Sequence, residues 1–311
     1  MQGEGRVGSL KSVQHIWYGR ESGVVIPGGT VSDLSQSSSQ TYLHIKEKAL
    51  AVEELYADSG VPLASTADLA RLIADAKTLS DSWLMGQAEN HPMTLLFRVG
   101  HFDRIADAVL PLRDVPDRTR FLKALASGSL DLLERKESNA KDVLWELELW
   151  AILKRRSFVA TLEEPPDLIV EFDDARIGIA CKKLYSEKHV QNVLSQAVAQ
   201  IEASFDFGII AVNIDDLVPA NHILRTPTQE TMGQYISNLN ARFLGAHERH
   251  FRKYLAAGRV ISVLVSTSVL ADVYRDRPRF NNARQATVWT IPGLPTEKDR
   301  QLRNFYDRLM T

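Results

Sequence analysis

Two short runs rich in Val, Ile and other apolar residues, 167–172 and 176–182, are separated only by Asp173-Asp174-Ala175. So short a connection joins antiparallel neighbours, because a parallel return needs a crossover of a dozen residues or more. The pair is bracketed by two amphipathic segments, Val143 to Leu153 and Val190 to Ile201. Strand parity then assigns faces. Ile177, Ile179 and Cys181 share one side and are expected to pack against a helix, while Gly178, Ala180 and Lys182 share the other. In the first strand Leu168, Val170 and Phe172 oppose Asp167, Ile169 and Glu171. A turn of two or three residues brings Asp167 beside Lys182 on one face. The two small residues before Lys182 are expected to leave room for something to approach its amine.

The chain of 311 residues changes texture along its length. Residues 1–40 are rich in Gly and Ser and read as a flexible arm, with Ile16-Trp17-Tyr18 and Val24-Val25-Ile26 able to dock as short extended pieces. Residues 41–137 read as a helical domain suited to recognition or partner binding. Leu43, Ile45, Ala49, Val52 and Leu55 recur near the 3.6-residue period until Gly60 and Pro62, and Ser65-Thr66-Ala67-Asp68 resembles a helix cap. Further helices are predicted at 97–110 and 118–133, parted by Pro111 and Pro116. Residues 138–311 alternate strands (158–162, 167–172, 176–182, 207–214, 260–265, 287–291) with helices (140–155, 190–203, 231–256, 297–309). The predicted class is α/β, with a mixed central sheet flanked by helices and preceded by an all-helical region.

Composition narrows the function classes. Net charge is −2, so any attraction to nucleic acid must be local rather than global. The single cysteine, Cys181, excludes an internal disulfide and fits a reducing compartment. No apolar run approaches the roughly 20 residues of a membrane span, and no basic start followed by an apolar block marks a secretory signal. The expectation is a cytoplasmic protein with no membrane partner, open to forming a homo-oligomer.

Glu146 in the first amphipathic segment, Pro166-Asp167 opening the first strand, and Ala180-Cys181-Lys182 closing the second occur in a meaningful order. Together they resemble the three motifs of the PD-(D/E)XK, or restriction-endonuclease-like, nuclease superfamily, over about 60 residues. The resemblance implies a DNA endonuclease that uses Mg²⁺ or Mn²⁺, in bacterial defence or DNA processing, with the helical half recognising DNA or a partner protein. It implies Asp167 and Glu146 as metal ligands and Lys182 as the cation beside the attacked phosphate. Gln196 and Gln200 resemble glutamines that follow the lysine in that family and imply nucleic-acid contacts. The departure is Ala180, which stands where the family carries its second acid. Reading the motif one residue later puts Cys181 and Lys183 on the apolar face and offers a thiol to a hard, oxygen-seeking ion, which argues against that frame. Chemistry tolerates the loss, since Mg²⁺ is commonly held by one or two carboxylates with waters and phosphate oxygens; Glu148 and Glu164 stand in reserve. The alternative is a non-catalytic module of the same fold that binds nucleic acid or a partner protein.

Other clusters carry plainer readings. Lys183 reads as a solvated strand end and Cys181 as a packing residue. His247 and His250 lie three apart on a predicted helix without a third ligand, so a solvated face is the better reading. Arg275, Arg277, Arg279 and Arg284, with Tyr274 and Phe280, form a loop patch able to contact a nucleic-acid backbone.

Overall fold

The computed structural model describes residues 16–19, 25–31, 39–87, 91–201, 205–219, 223–258, 260–275 and 280–310. In chain order the elements are β1 (Ile16–Gly19), β2 (Val25–Val31), α1 (Ser39–Asp58), α2 (Asp68–Leu84), α3 (Met93–Val109), α4 (Arg118–Ser127) and α5 (Asn139–Arg155). There follow β3 (Val159–Leu162), β4 (Leu168–Phe172), β5 (Ala175–Lys183), α6 (Val190–Ile201), β6 (Phe207–Asn213) and β7 (Ile223–Thr226). The chain finishes with α7 (Gln229–Ala256), β8 (Val260–Val273), β9 (Phe280–Trp289) and α8 (Thr296–Met310). The strands form one mixed sheet of order β1-β2-β9-β8-β6-β5-β4-β3, with β7 added alongside β8. The β5–β6, β6–β8 and β7–β8 pairs are parallel; the others are antiparallel. This is the predicted α/β class, a mixed sheet flanked by helices and preceded by a helical region. No helix among the described residues is long and apolar enough to cross a membrane.

Strand parity sorts the buried apolar side chains between the two faces. Ile177, Ile179, Cys181, Ile209, Ala211 and Leu264 pack with α5, α8 and the N-terminal helices in one cluster that runs from Ile45 to Leu309. Their neighbours Ala180, Ile210, Val212, Val263 and Val265 pack with α6 and α7. The predicted open space on the Gly178 side is therefore filled: a Cβ added at Gly178 would lie 2.8 Å from the Phe205 ring, and Ala180 is fully buried beside α6. Small residues there admit the covering elements rather than a ligand. That corrects the sequence expectation, which fixed parity but had no measure of how closely the covering helix approaches.

α5 is buried on most of its circumference instead of along one stripe, as befits a helix wedged between α3, α4 and the sheet. Its two tryptophans tie it to the sheet. Trp145 Nε1 donates to Ala211 O at 3.1 Å and Trp150 Nε1 donates to Ala160 O at 3.1 Å. The C-terminal helix docks through Phe305, whose ring lies 4.9 Å from that of Phe158 and 5.8 Å from that of Phe172. On the opposite face the buried Asn240 of α7 donates to Gln285 O at 3.1 Å and Thr287 Oγ1 at 3.0 Å and accepts from Thr267 Oγ1 at 2.5 Å.

Several elements differ from expectation for local reasons. α2 starts at Asp68, yet no side chain caps it. The Asp68 carboxylate instead accepts from Ser129 Oγ at 2.9 Å and Leu130 N at 3.0 Å, and so folds the segment after α4 back onto α2. α4 accordingly stops at Ser127, short of the predicted 133. β8 and β9 are longer than predicted, and β7 was missed because 223–226 is too short for a recognisable alternation. In the predicted arm, β1 and β2 extend the sheet beyond β9, and they include Ile16-Trp17-Tyr18 and Val25-Ile26, Val24 lying outside the described residues.

Candidate active site

Glu146 and Glu148 are two residues apart on α5, about 200° around the helix, so they serve different neighbourhoods. Glu148 is buried and gripped by Arg104 of α3 and Arg284 of β9. Arg104 Nη2 lies 2.8 Å from Glu148 Oε2, Arg104 Nε bonds Oε1, and Arg284 Nη2 lies 2.6 Å from Oε2. Burial opposes its charge, but the two guanidinium groups overcome that and hold the carboxyl below its usual range. Arg104 also reaches Asp215 Oδ2 at 2.7 Å. Glu148 is thus committed to a buried ion network and is unavailable as the reserve ligand. Arg284, expected in a surface loop, belongs to the same network because β9 begins earlier than predicted.

Glu146 faces the other way. The hairpin register runs Leu168↔Ile179 and Ile169↔Gly178, and its two-residue turn has positive φ at both Asp173 (46°) and Asp174 (60°). One step beyond the paired residues, Asp167 comes opposite Ala180. The Cys181 N–H donates to Asp167 Oδ2 at 2.6 Å, and Lys182 Nζ lies 3.5 Å from the same oxygen. The predicted meeting of Asp167 and Lys182 is therefore present. Glu146 feels both: burial first, then the Asp167 charge, push its carboxyl up to about 8, with Lys182 pulling in the opposite direction. Burial also raises the Asp167 carboxyl, against the pull of Lys182 and the Cys181 amide. Cys181 is buried and its thiol is pushed well up, so it is a packing residue.

Two further groups belong to this edge. Asp142, one turn before Glu146 on α5, acts electrostatically on Glu146 and Lys182 and accepts from the Tyr185 hydroxyl at 2.9 Å. The i, i+4 spacing from Glu146 was the available signal for it. Glu164 is exposed and lies 3.6 Å from Arg120 Nη1; its charge raises both Glu146 and Asp167.

The glutamines do not join the cluster. Gln196 is exposed on α6, Gln200 has a buried Oε1 without a hydrogen-bond partner, and among the described residues no hydrogen bond links either to Glu146, Asp167 or Lys182. Arg275 is exposed beyond β8 with its guanidinium 6.0 Å from the Tyr274 ring centroid. Arg277 and Arg279 lie outside the described residues. His247 Nε2 sits 3.2 Å from Glu187 Oε2 on the α6–α7 side. Lys183, expected to be solvated, is a buried cation 2.6 Å from Asp216 Oδ2 and 2.7 Å from Asn213 Oδ1.

Among the described residues no group of three or more His, Cys, Asp and Glu is arranged to hold a metal ion. Position 180, where the resemblance expects an acid, carries an alanine fully buried on the α6 side of the sheet. Glu146 and Asp167, near enough for the Asp167 charge to raise Glu146, are oxygen donors of the kind a hard divalent cation takes alongside waters. The chain matches no family model, no curated protein and no solved structure.

Proposed function

We propose that the chain is a divalent-metal-dependent DNA endonuclease of the restriction-endonuclease-like kind, acting in the cytoplasm in bacterial defence or DNA processing, with Glu146, Asp167 and Lys182 as its working residues. The observation that carries the reading is Lys182 Nζ 3.5 Å from Asp167 Oδ2, beside a Glu146 carboxyl pushed up to about 8. Perturbed carboxyls beside a lysine are the kind of grouping that phosphodiester hydrolysis uses. Asp167 and Glu146 would hold Mg²⁺ or Mn²⁺, which when bound polarises the phosphate and lowers the pKa of the attacking water. The chain's own contributions are separable. The Cys181 amide fixes one Asp167 oxygen and so presents the other. Lys182 supplies positive charge beside the attacked phosphate and orients water. Glu146 holds a proton near neutral pH and must release it to act as a ligand. The helical region would present DNA or a partner protein to this edge.

The test is nicking of supercoiled plasmid with Mg²⁺ or Mn²⁺ and then with EDTA, running native protein beside Lys182→Ala. Metal-dependent nicking lost in the variant is the expected result. One observation favours a second reading, a non-catalytic module that only grips nucleic acid: Ala180 leaves the site a carboxylate short. If neither protein nicks while native protein retards DNA, that second reading replaces the first.

A further inference from the structure

Just past the carboxyl ends of the parallel strands β5 and β6 lies a cavity of about 40 Å³, between the sheet and the helical region. Crevices at this position in open α/β sheets are recurrent ligand sites. Its wall includes His101 and Arg104 of α3, Arg135 of the segment before α5, Lys183 at the end of β5, and Asp215 and Asp216 after β6. None of these belongs to the Glu146–Asp167–Lys182 edge.

Most of the charge on this wall is already matched. Arg104 is spent on Glu148 and Asp215, and Lys183 on Asp216. Asp215 Oδ1 accepts from Ser268 N at 2.6 Å. Three groups are left over. Arg135 bonds only carbonyl oxygens, of Leu132 at 3.1 Å and Pro219 at 3.2 Å, and has no carboxylate partner among the described residues. The His101 ring has no hydrogen-bond partner among the described residues, and burial with the charges of Arg104 and Arg135 keeps it neutral. Asp216, its side chain 4% exposed, has an Oδ1 that accepts no hydrogen bond, with Lys141 Nζ 3.8 Å from it and Lys183 on the other oxygen. These two donors and one buried acceptor belong to residues that line a space with room for a few water-sized groups.

We infer that this cavity binds hydrogen phosphate, free or as the terminal group of a phosphate monoester. Its oxygens accept from Arg135 and His101, and its P–OH donates to Asp216 Oδ1. Sulfate has the same shape and charge range but carries no proton at neutral pH, so it leaves the Asp216 oxygen facing an anion. The site thus discriminates by a hydrogen bond, as buried polar groups do most strongly. Because its walls come from both the helices and the sheet, the bound ion clamps the two together.

The experiment is thermal unfolding and titration calorimetry of the full chain with inorganic phosphate, sulfate and a nucleoside monophosphate. The comparison variants are Arg135→Gln and His101→Leu. Phosphate is expected to raise the melting temperature by several degrees when well above its dissociation constant, with sulfate about tenfold weaker or more. Each variant should lose about tenfold in phosphate affinity while keeping its far-ultraviolet spectrum. Tighter binding of the monophosphate than of phosphate identifies a nucleotide as the source, and equal or weaker binding identifies the free ion. The inference fails if neither phosphate nor the monophosphate binds at about 10 mM. It fails equally if sulfate matches phosphate, or if both variants bind as the native chain does.

Discussion

Replacing Glu146 with Gln removes an ionisation that the native state resists. Its carboxyl is raised from 4.5 to about 8, first by burial and then by Asp167, with Glu164 and Asp142 adding to the effect and Lys182 opposing it. A folded-state value above the unfolded one contributes stability in full below the unfolded pKa and loses it as pH rises through the folded pKa. In EDTA, native protein should therefore weaken steadily between about pH 5 and pH 8, by about 3 kcal/mol from this group alone. Glu146→Gln keeps the shape, never ionises, and should show this slope removed and greater stability at about pH 8. Urea denaturation of both proteins across that range measures the difference directly. Saturating Mn²⁺ at the upper end should recover the loss in native protein and leave the variant unchanged, because metal takes the place of the proton. Parallel pH profiles for the two proteins in EDTA would refute the reasoning.

Other outcomes follow from the packing. Glu148→Ala leaves Arg284 without a carboxylate in a buried setting and Arg104 with Asp215 alone, and should cost about 3–5 kcal/mol, read by chemical denaturation; a cost below about 1 kcal/mol, the range of an exposed pair, would mean that solvent reaches the network. Gly178→Ala puts a Cβ 2.8 Å from the Phe205 ring and should cost about 1–3 kcal/mol by overpacking, whereas an unchanged melting temperature would show that Phe205 moves aside freely. Trp145→Phe deletes the donor to Ala211 O and leaves a buried carbonyl short of a partner, which should cost about 1–3 kcal/mol; retention of full stability would show that the bond contributes nothing net.

The hairpin, its parity and the meeting of Asp167 with Lys182 were legible in the sequence because they depend on local periods and a two-residue turn. The helical boundaries of α5, α6 and α7 were legible for the same reason. Non-local effects were not. Whether the Gly178 side is open or filled depends on Phe205, which arrives from the far end of α6. Glu148 looks as free as Glu146 along the chain, and only the arrival of Arg104 from α3 and Arg284 from β9 separates them. Lys183 reads as a solvated end because its partner Asp216 lies on another strand's exit. The extra length of β8 and β9 escaped notice because polar residues interrupt the apolar pattern: Thr267 pairs with Gln285 and bonds Asn240, Ser268 pairs with Arg284, and Asn282 bonds Gly100 O in the helical region.

Lys182 and Lys183 are consecutive residues whose amines serve opposite faces of one strand. An inserted or deleted residue within β5 ahead of Lys182 would transpose them, aiming one lysine at the wrong carboxylate and leaving Asp216 without its cation. β5 is therefore locked in length at two independent checkpoints, and indels there should be lost from any library selected for folding alone. A length change after Leu184 shifts neither amine, so tolerance should begin abruptly at that residue in a scan of single-residue insertions.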